Sequence, residues 1–143
     1  MTTERRAQWL RGVLDLCVLA ELGRGESYGY GVARALEDVG LGPVPGGTLY
    51  PVLTRLERAE LVRARWVDSA AGPPRKYYAI TPAGSEELSR GSAAWESLAT
   101  TVHAVLTRHG MHRLAWLDRP TGQLIRRYER ARPGELVLSL IHI

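Results

Sequence analysis

Residues 46–84 read G-G-T-L-Y-P-V-L-T-R-L-E-R-A-E-L-V-R-A-R-W-V-D-S-A-A-G-P-P-R-K-Y-Y-A-I-T-P-A-G, and the apolar period changes once along that stretch. Leu49, Val52, Leu53 and Leu56 fall at i, i+3, i+4 and i+7, the spacing of one helical face. Thr48 stands where an N-cap belongs, and Pro51 falls in the expected first turn, where a missing N–H costs little. At about 100° per residue, Thr54, Arg55 and Arg58 face away from the apolar stripe. After Glu60 the period becomes two, with Val62, Ala64 and Trp66 alternating against Arg63, Arg65 and Val67. Gly72-Pro73-Pro74 breaks that run, and Lys76 to Ile80 is β-prone again. A short helix followed by a basic hairpin is the layout of a winged helix, which lays one helix in a DNA major groove and sets its wing on the flanking phosphates.

The rest of the chain supplies a frame for that unit. A first helix is expected from about Thr3 to Leu22, apolar nearly all round and so covered on two sides. Gly23 and Gly25 end it, and Ser27 is placed to cap a second helix reaching about Val39. Val32, Ala33 and Leu36 would face the core, with Arg34, Glu37 and Asp38 toward water. Gly40, Gly42, Pro43, Pro45 and Gly46 form a loop longer than a tight helix-turn-helix turn. Thr81-Pro82 reads as the cap and first position of a last helix. Along it Leu88, Trp95, Leu98, Val102 and Val105 recur at close to 3.5 residues, a seam that pairs helices between subunits. Packing of the same seam on the first helix of its own chain is the alternative. The expected fold class is mainly α with a small β-hairpin: a winged helix-turn-helix over residues 1–81, a C-terminal dimerisation helix over 82–109, and a foreign or disordered tail over 110–143.

Composition sets limits. The chain has 143 residues, a net charge of +4, 45% hydrophobic and 24% charged residues, the balance of one soluble globular domain. No apolar run approaches the roughly 18 residues of a membrane span, and the start lacks an apolar export signal, so a cytoplasmic protein is expected. The lone Cys17 rules out an internal disulfide and reads as a small hydrophobe in an apolar helix. The overall charge misleads. Residues 1–107 hold twelve basic and twelve acidic side chains, and the whole excess lies after them. The DNA signal is local, in the six cations and three carboxylates of residues 46–80. Catalysis finds no support: there is no Ser-His-acid or phosphate-loop spacing, and His109 and His112 straddle Gly110 with no third ligand nearby. No enzyme activity, cofactor or metal is expected.

Several linked motifs also resemble a known family. G-T-L-Y-P-V-L-T-R-L-E, then L-V, a Trp in the following strand, G-P-P-R-K-Y-Y and I-T-P-A-G are similar to the PadR-like transcriptional regulators. Upstream, L-R-G-V-L-D-L-C-V-L-A-E-L and S-Y-G-Y-G continue the likeness, which covers about residues 8–106. The resemblance implies a dimeric bacterial DNA-binding protein, often a repressor released by a small molecule.

For double-stranded DNA the candidates are Thr48, Tyr50, Thr54, Arg55 and Arg58 on the helix, with Arg75 and Lys76 on the wing. Arg55 is the expected base reader, because a guanidinium can grip guanine O6 and N7 together. Arg58 is read as a phosphate contact or a partner of nearby carboxylates. Tyr77 and Tyr78 alternate faces, so one belongs to the core. Tyr28 and Tyr30 open the second helix, where they either meet the phosphate backbone or pack. Trp9, Trp95, Leu98 and Val102 are candidates for the dimer interface and for a small apolar or aromatic effector, since the family places an aromatic at its dimer seam near Trp95. A winged helix serving as a protein-interaction adaptor is the rival reading.

The tail has a different look. Residues 101–137 resemble part of an insertion-sequence transposase of the DDE class, stopping before its first metal-binding Asp, so no catalytic site carries over. Leu138 to Ile143 match the translation of a transposon mosaic-end adapter. The chain beyond about Leu106 is therefore expected to be foreign to the domain before it, and an inactive transposase-derived DNA-binding fragment is a further alternative.

Overall fold

The computed structural model describes residues 3–110. In chain order these form α1 (Thr3–Arg24), β1 (Ser27–Tyr28), α2 (Gly29–Asp38), α3 (Gly46–Arg58), β2 (Val62–Ser69), β3 (Gly72–Ile80) and α4 (Pro82–Arg108). The expectations for residues 111–143 lie outside the described residues. Two compact units divide within α4, after Glu96.

The three helices before the hairpin bury one apolar cluster. Leu10, Leu14, Val18, Leu19 and Leu22 of α1 meet Val32 and Leu36 of α2, and Leu49, Val52, Leu53 and Leu56 of α3. Val62 and Tyr78 close it from the sheet. Removing this apolar surface from water is the main drive for folding, at roughly 25 cal/mol per Å². The seven-residue apolar spacing of α3 thus faces inward as read. Cys17 is half-buried beside the cluster, and burial pushes its thiol above the usual range.

Four local readings need correction. α3 begins two residues before Thr48: the amides of Thr48 and Leu49 both donate to the Pro45 carbonyl, at 2.9 and 3.0 Å. Pro45 is the N-cap, without a side-chain cap bond. Pro51 therefore lies in the second turn, where it cannot donate to the Gly47 carbonyl. Ser27 does not cap α2; it is drawn into a short strand opposite Tyr78, and Tyr28 takes the N-cap position. That strand makes the sheet three-stranded and antiparallel, in the order β1-β3-β2. Lastly, β3 runs through Gly72-Pro73-Pro74. The ladder tolerates the prolines, which have no N–H to give, because its register slips opposite them, between Val67 and Ser69.

The end of α3 carries a strained residue. Leu61 N–H donates to the Leu56 carbonyl and Glu60 N–H to the Glu57 carbonyl, with Glu60 at φ 58°. This is the Schellman arrangement, whose left-handed position favours glycine. Glu60→Gly is expected to raise stability by about 0.5–1 kcal/mol, the relief of strain exceeding the added chain entropy. Chemical denaturation would read this as a higher midpoint; an unchanged or lower midpoint would refute it.

Candidate nucleic-acid interface

The outward face of α3 is polar and open. Tyr50, Pro51, Thr54, Arg55 and Arg58 are all exposed and line one shallow groove. Thr48 is half-buried at the edge of the core stripe, so it stands apart from that face. The Tyr50 ring lies over the start of α2. A Cβ on Gly29 would come within 2.7 Å of it, so glycine leaves room for the ring in its present position. Half of Tyr50 remains exposed (52%), so its ring packs while its edge faces outward.

The hairpin has two unlike faces. Val62, Ala64 and Trp66 share one face with Ile80, Tyr78 and Lys76. Burial falls along it from Val62 at 2% exposure to Trp66 at 69%, because the strand outruns the helices beneath. Tyr78 is the core member of the tyrosine pair, and its phenol is raised above the ordinary range by burial. The other face holds Arg63, Arg65, Arg75 and Tyr77. Arg75 sets its guanidinium 4.8 Å above the Tyr28 ring, and Tyr28 in turn meets Tyr77 at 5.4 Å and Tyr30 at 6.4 Å between ring centres. This cation–π contact fixes the wing against the start of α2 while leaving Arg75 exposed.

Two of the expected DNA contacts are already engaged within the chain. Arg55 donates through Nε to Asp15 Oδ2 at 3.2 Å and through Nη2 to Asp15 Oδ1 at 2.5 Å. Lys76 Nζ donates to Glu57 Oε2 at 2.9 Å and sits 5.5 Å from the Tyr78 ring centre. The Glu57 carboxylate holds the Lys76 ammonium above its usual range. Arg65 grips Glu26 with both Nε and Nη2, which lowers the glutamate and raises the guanidinium. Among the described residues no carboxylate stands within ion-pair distance of Arg58, Arg63 or Arg75. Of the expected cations, Arg58 and Arg75 thus keep their charge without a carboxylate partner among the described residues, and Arg63 joins them. Asp15 lies 40 residues from Arg55, a separation at which no local sequence pattern links the two. Its one signal was an acid among Val13, Leu14, Leu16 and Cys17.

On α4, Trp95, Leu98, Val102 and Val105 are exposed at 48, 54, 47 and 50%, as is Trp9 of α1 at 62%. Further back, Leu88 meets Gly23, and a Cβ on Gly91 would come within 2.6 Å of Leu16. The small residue at Gly91 thus lets α4 pack on α1. No helix among the described residues is long and apolar enough to cross a membrane. No group of three or more His, Cys, Asp or Glu among them could hold a metal ion.

Three helices, a two-stranded wing and a small third strand define a winged-helix DNA-binding fold. The profile of the PadR-like transcriptional regulator family matches residues 18–90, about half of the chain, and the protein belongs to that family. A PadR family regulator from Eggerthella lenta is 35% identical, with a TM-score of 0.67 over 73% of this chain and 90% of that one. A PadR-like regulator from Bacillus cereus is 37% identical, with a TM-score of 0.61 over 69% and 96%. An uncharacterised 37.1 kDa protein in transposon Tn4556 of Streptomyces fradiae is 34% identical over 139 residues. That match takes in 90% of this chain, which spans only 36% of that relative's length. The family is one of transcriptional regulators and not of enzymes.

Proposed function

We propose that the chain is a repressor that acts as a homodimer on a palindromic operator and is released by a small apolar or aromatic effector. The observation that carries this is the open polar face of α3, together with the wing arginines Arg63 and Arg75, which have no carboxylate partner among the described residues. The dimer is supported by the exposed apolar row of α4, whose spacing of about 3.5 residues suits a helix-to-helix seam. Paired half-sites then follow from the twofold relation of the subunits. Trp9 and Trp95, both exposed, are the flat surfaces offered to an effector. An effector lowers DNA affinity only by its preference for the subunit arrangement that does not fit the operator. Within this reading Thr54 and Arg58, with Arg75 on the wing, face the duplex. Thr48, Tyr50, Arg55 and Lys76 border that surface, and a cytoplasmic location follows.

Selection from a pool of random duplexes, followed by affinity measurements across salt concentrations, tests it. The full chain is expected to enrich a twofold-symmetric sequence and to bind it at least about 1,000-fold more tightly than random duplex. Arg75→Ala should weaken every duplex alike and reduce the salt slope by about one, the loss of one phosphate contact. Enrichment of no sequence would favour the adaptor reading instead.

A further inference from the structure

α3 is held on both flanks, each time by an ion pair to a different neighbour. At about 100° per residue, Glu57 stands about 90° to one side of the middle of the apolar stripe and Arg55 about 110° to the other. Glu57 reaches Lys76 of β3, and Arg55 reaches Asp15 of α1. Arg58 stands about 170° from the stripe and Thr54 about 150°, so these two point straight out.

Ion pairs this open to solvent contribute little stability. Their effect here is geometric. The two pairs brace the helix from opposite sides and settle which residues project. The Asp15 clasp also occupies Nε and Nη2 of Arg55, and a fork engaged by a carboxylate is not free for guanine O6 and N7. In helix-turn-helix proteins the first residues of the recognition helix usually reach the bases. Here those are Gly46 and Gly47, which have no side chain to do so, and reading passes to the residues further along the outward face.

Resting on the reading that the chain binds an operator, we propose that Arg58, with Thr54 beside it, reads base edges. Arg55 and Lys76 are positioning residues that hold α3 in rotation through Asp15 and Glu57.

The test is a set of base-preference profiles from random duplexes for the full chain, Arg58→Ala, Arg58→Lys, Arg55→Met and the charge swap Asp15→Arg/Arg55→Asp. Arg58→Ala and Arg58→Lys should each lose about tenfold or more of preference at one place in each half-site, since lysine keeps the charge but not the fork. Arg55→Met should lower affinity evenly across duplexes, and the swap should recover the original profile with no arginine at position 55. A loss confined to one base pair in Arg55→Met that the swap leaves unrepaired would overturn the proposal. So would an Arg58→Lys profile matching the original. Circular dichroism shows whether the swap folds; if it does not, the contrast between Arg58→Lys and Arg55→Met decides. An original chain that enriches no sequence overturns operator binding itself and this assignment with it, an outcome distinct from a shifted reader.

Discussion

Gly84→Ala is expected to destabilise the domain by about 3 kcal/mol or more, a large part of the 5–15 kcal/mol that holds a domain folded. A Cβ at this buried position would lie 2.0 Å from the Leu61 carbonyl oxygen, 2.8 Å from Ile80 Cγ1 and 3.0 Å from the Leu61 carbonyl carbon. Two of those three neighbours are backbone, so no side-chain rotation relieves the clash. The first turn of α4 would have to lift off the segment joining α3 to β2, breaking the Thr81 hydrogen bonds as it went. The melting midpoint should fall by on the order of 10–20 °C. A variant that melts within a few degrees of the original would show that the turn can shift at little cost.

The second large effect is expected from the exposed row on α4. Leu98→Glu/Val102→Glu places two carboxylates on each helix of the proposed seam, where a dimer would have to desolvate four charges without partners. Each such burial costs several kcal/mol, so dimerisation should weaken by at least about a thousandfold, or roughly 4 kcal/mol. The folded domain should tolerate the change, because both positions are exposed within the chain. Analytical ultracentrifugation is expected to show dimers for the original and monomers for the variant, and operator affinity should fall with the loss of the second half-site. An unaltered mass would place the dimer contact elsewhere.

Period and turn chemistry made the core and the wing legible in the sequence. Leu49, Val52, Leu53 and Leu56 lie inside as their spacing required. Thr81 caps α4 through its hydroxyl, 3.0 Å from the Gly84 amide, as a threonine before a proline suggests. The element starts were harder. Gly46 and Gly47 extend α3 backward because Pro45 supplies the right entry angle, and Ser27 prefers a partner in β3 that no local pattern reveals. The side-chain pairs were hardest of all. A surface arginine looks alike in sequence whether it awaits a phosphate or already holds an aspartate 40 residues away. Only the tertiary arrangement separates Arg55 from Arg58.

Thr81 has a mechanical consequence. Its amide donates to the Leu61 carbonyl at 3.0 Å, and its hydroxyl donates to the Glu60 carbonyl at 2.7 Å while accepting from Gly84. One residue thus rivets the exit of the recognition helix, the end of the wing and the root of α4 to a single point. Leverage applied at that root cannot be absorbed by a slack joint; it arrives at the foot of α3.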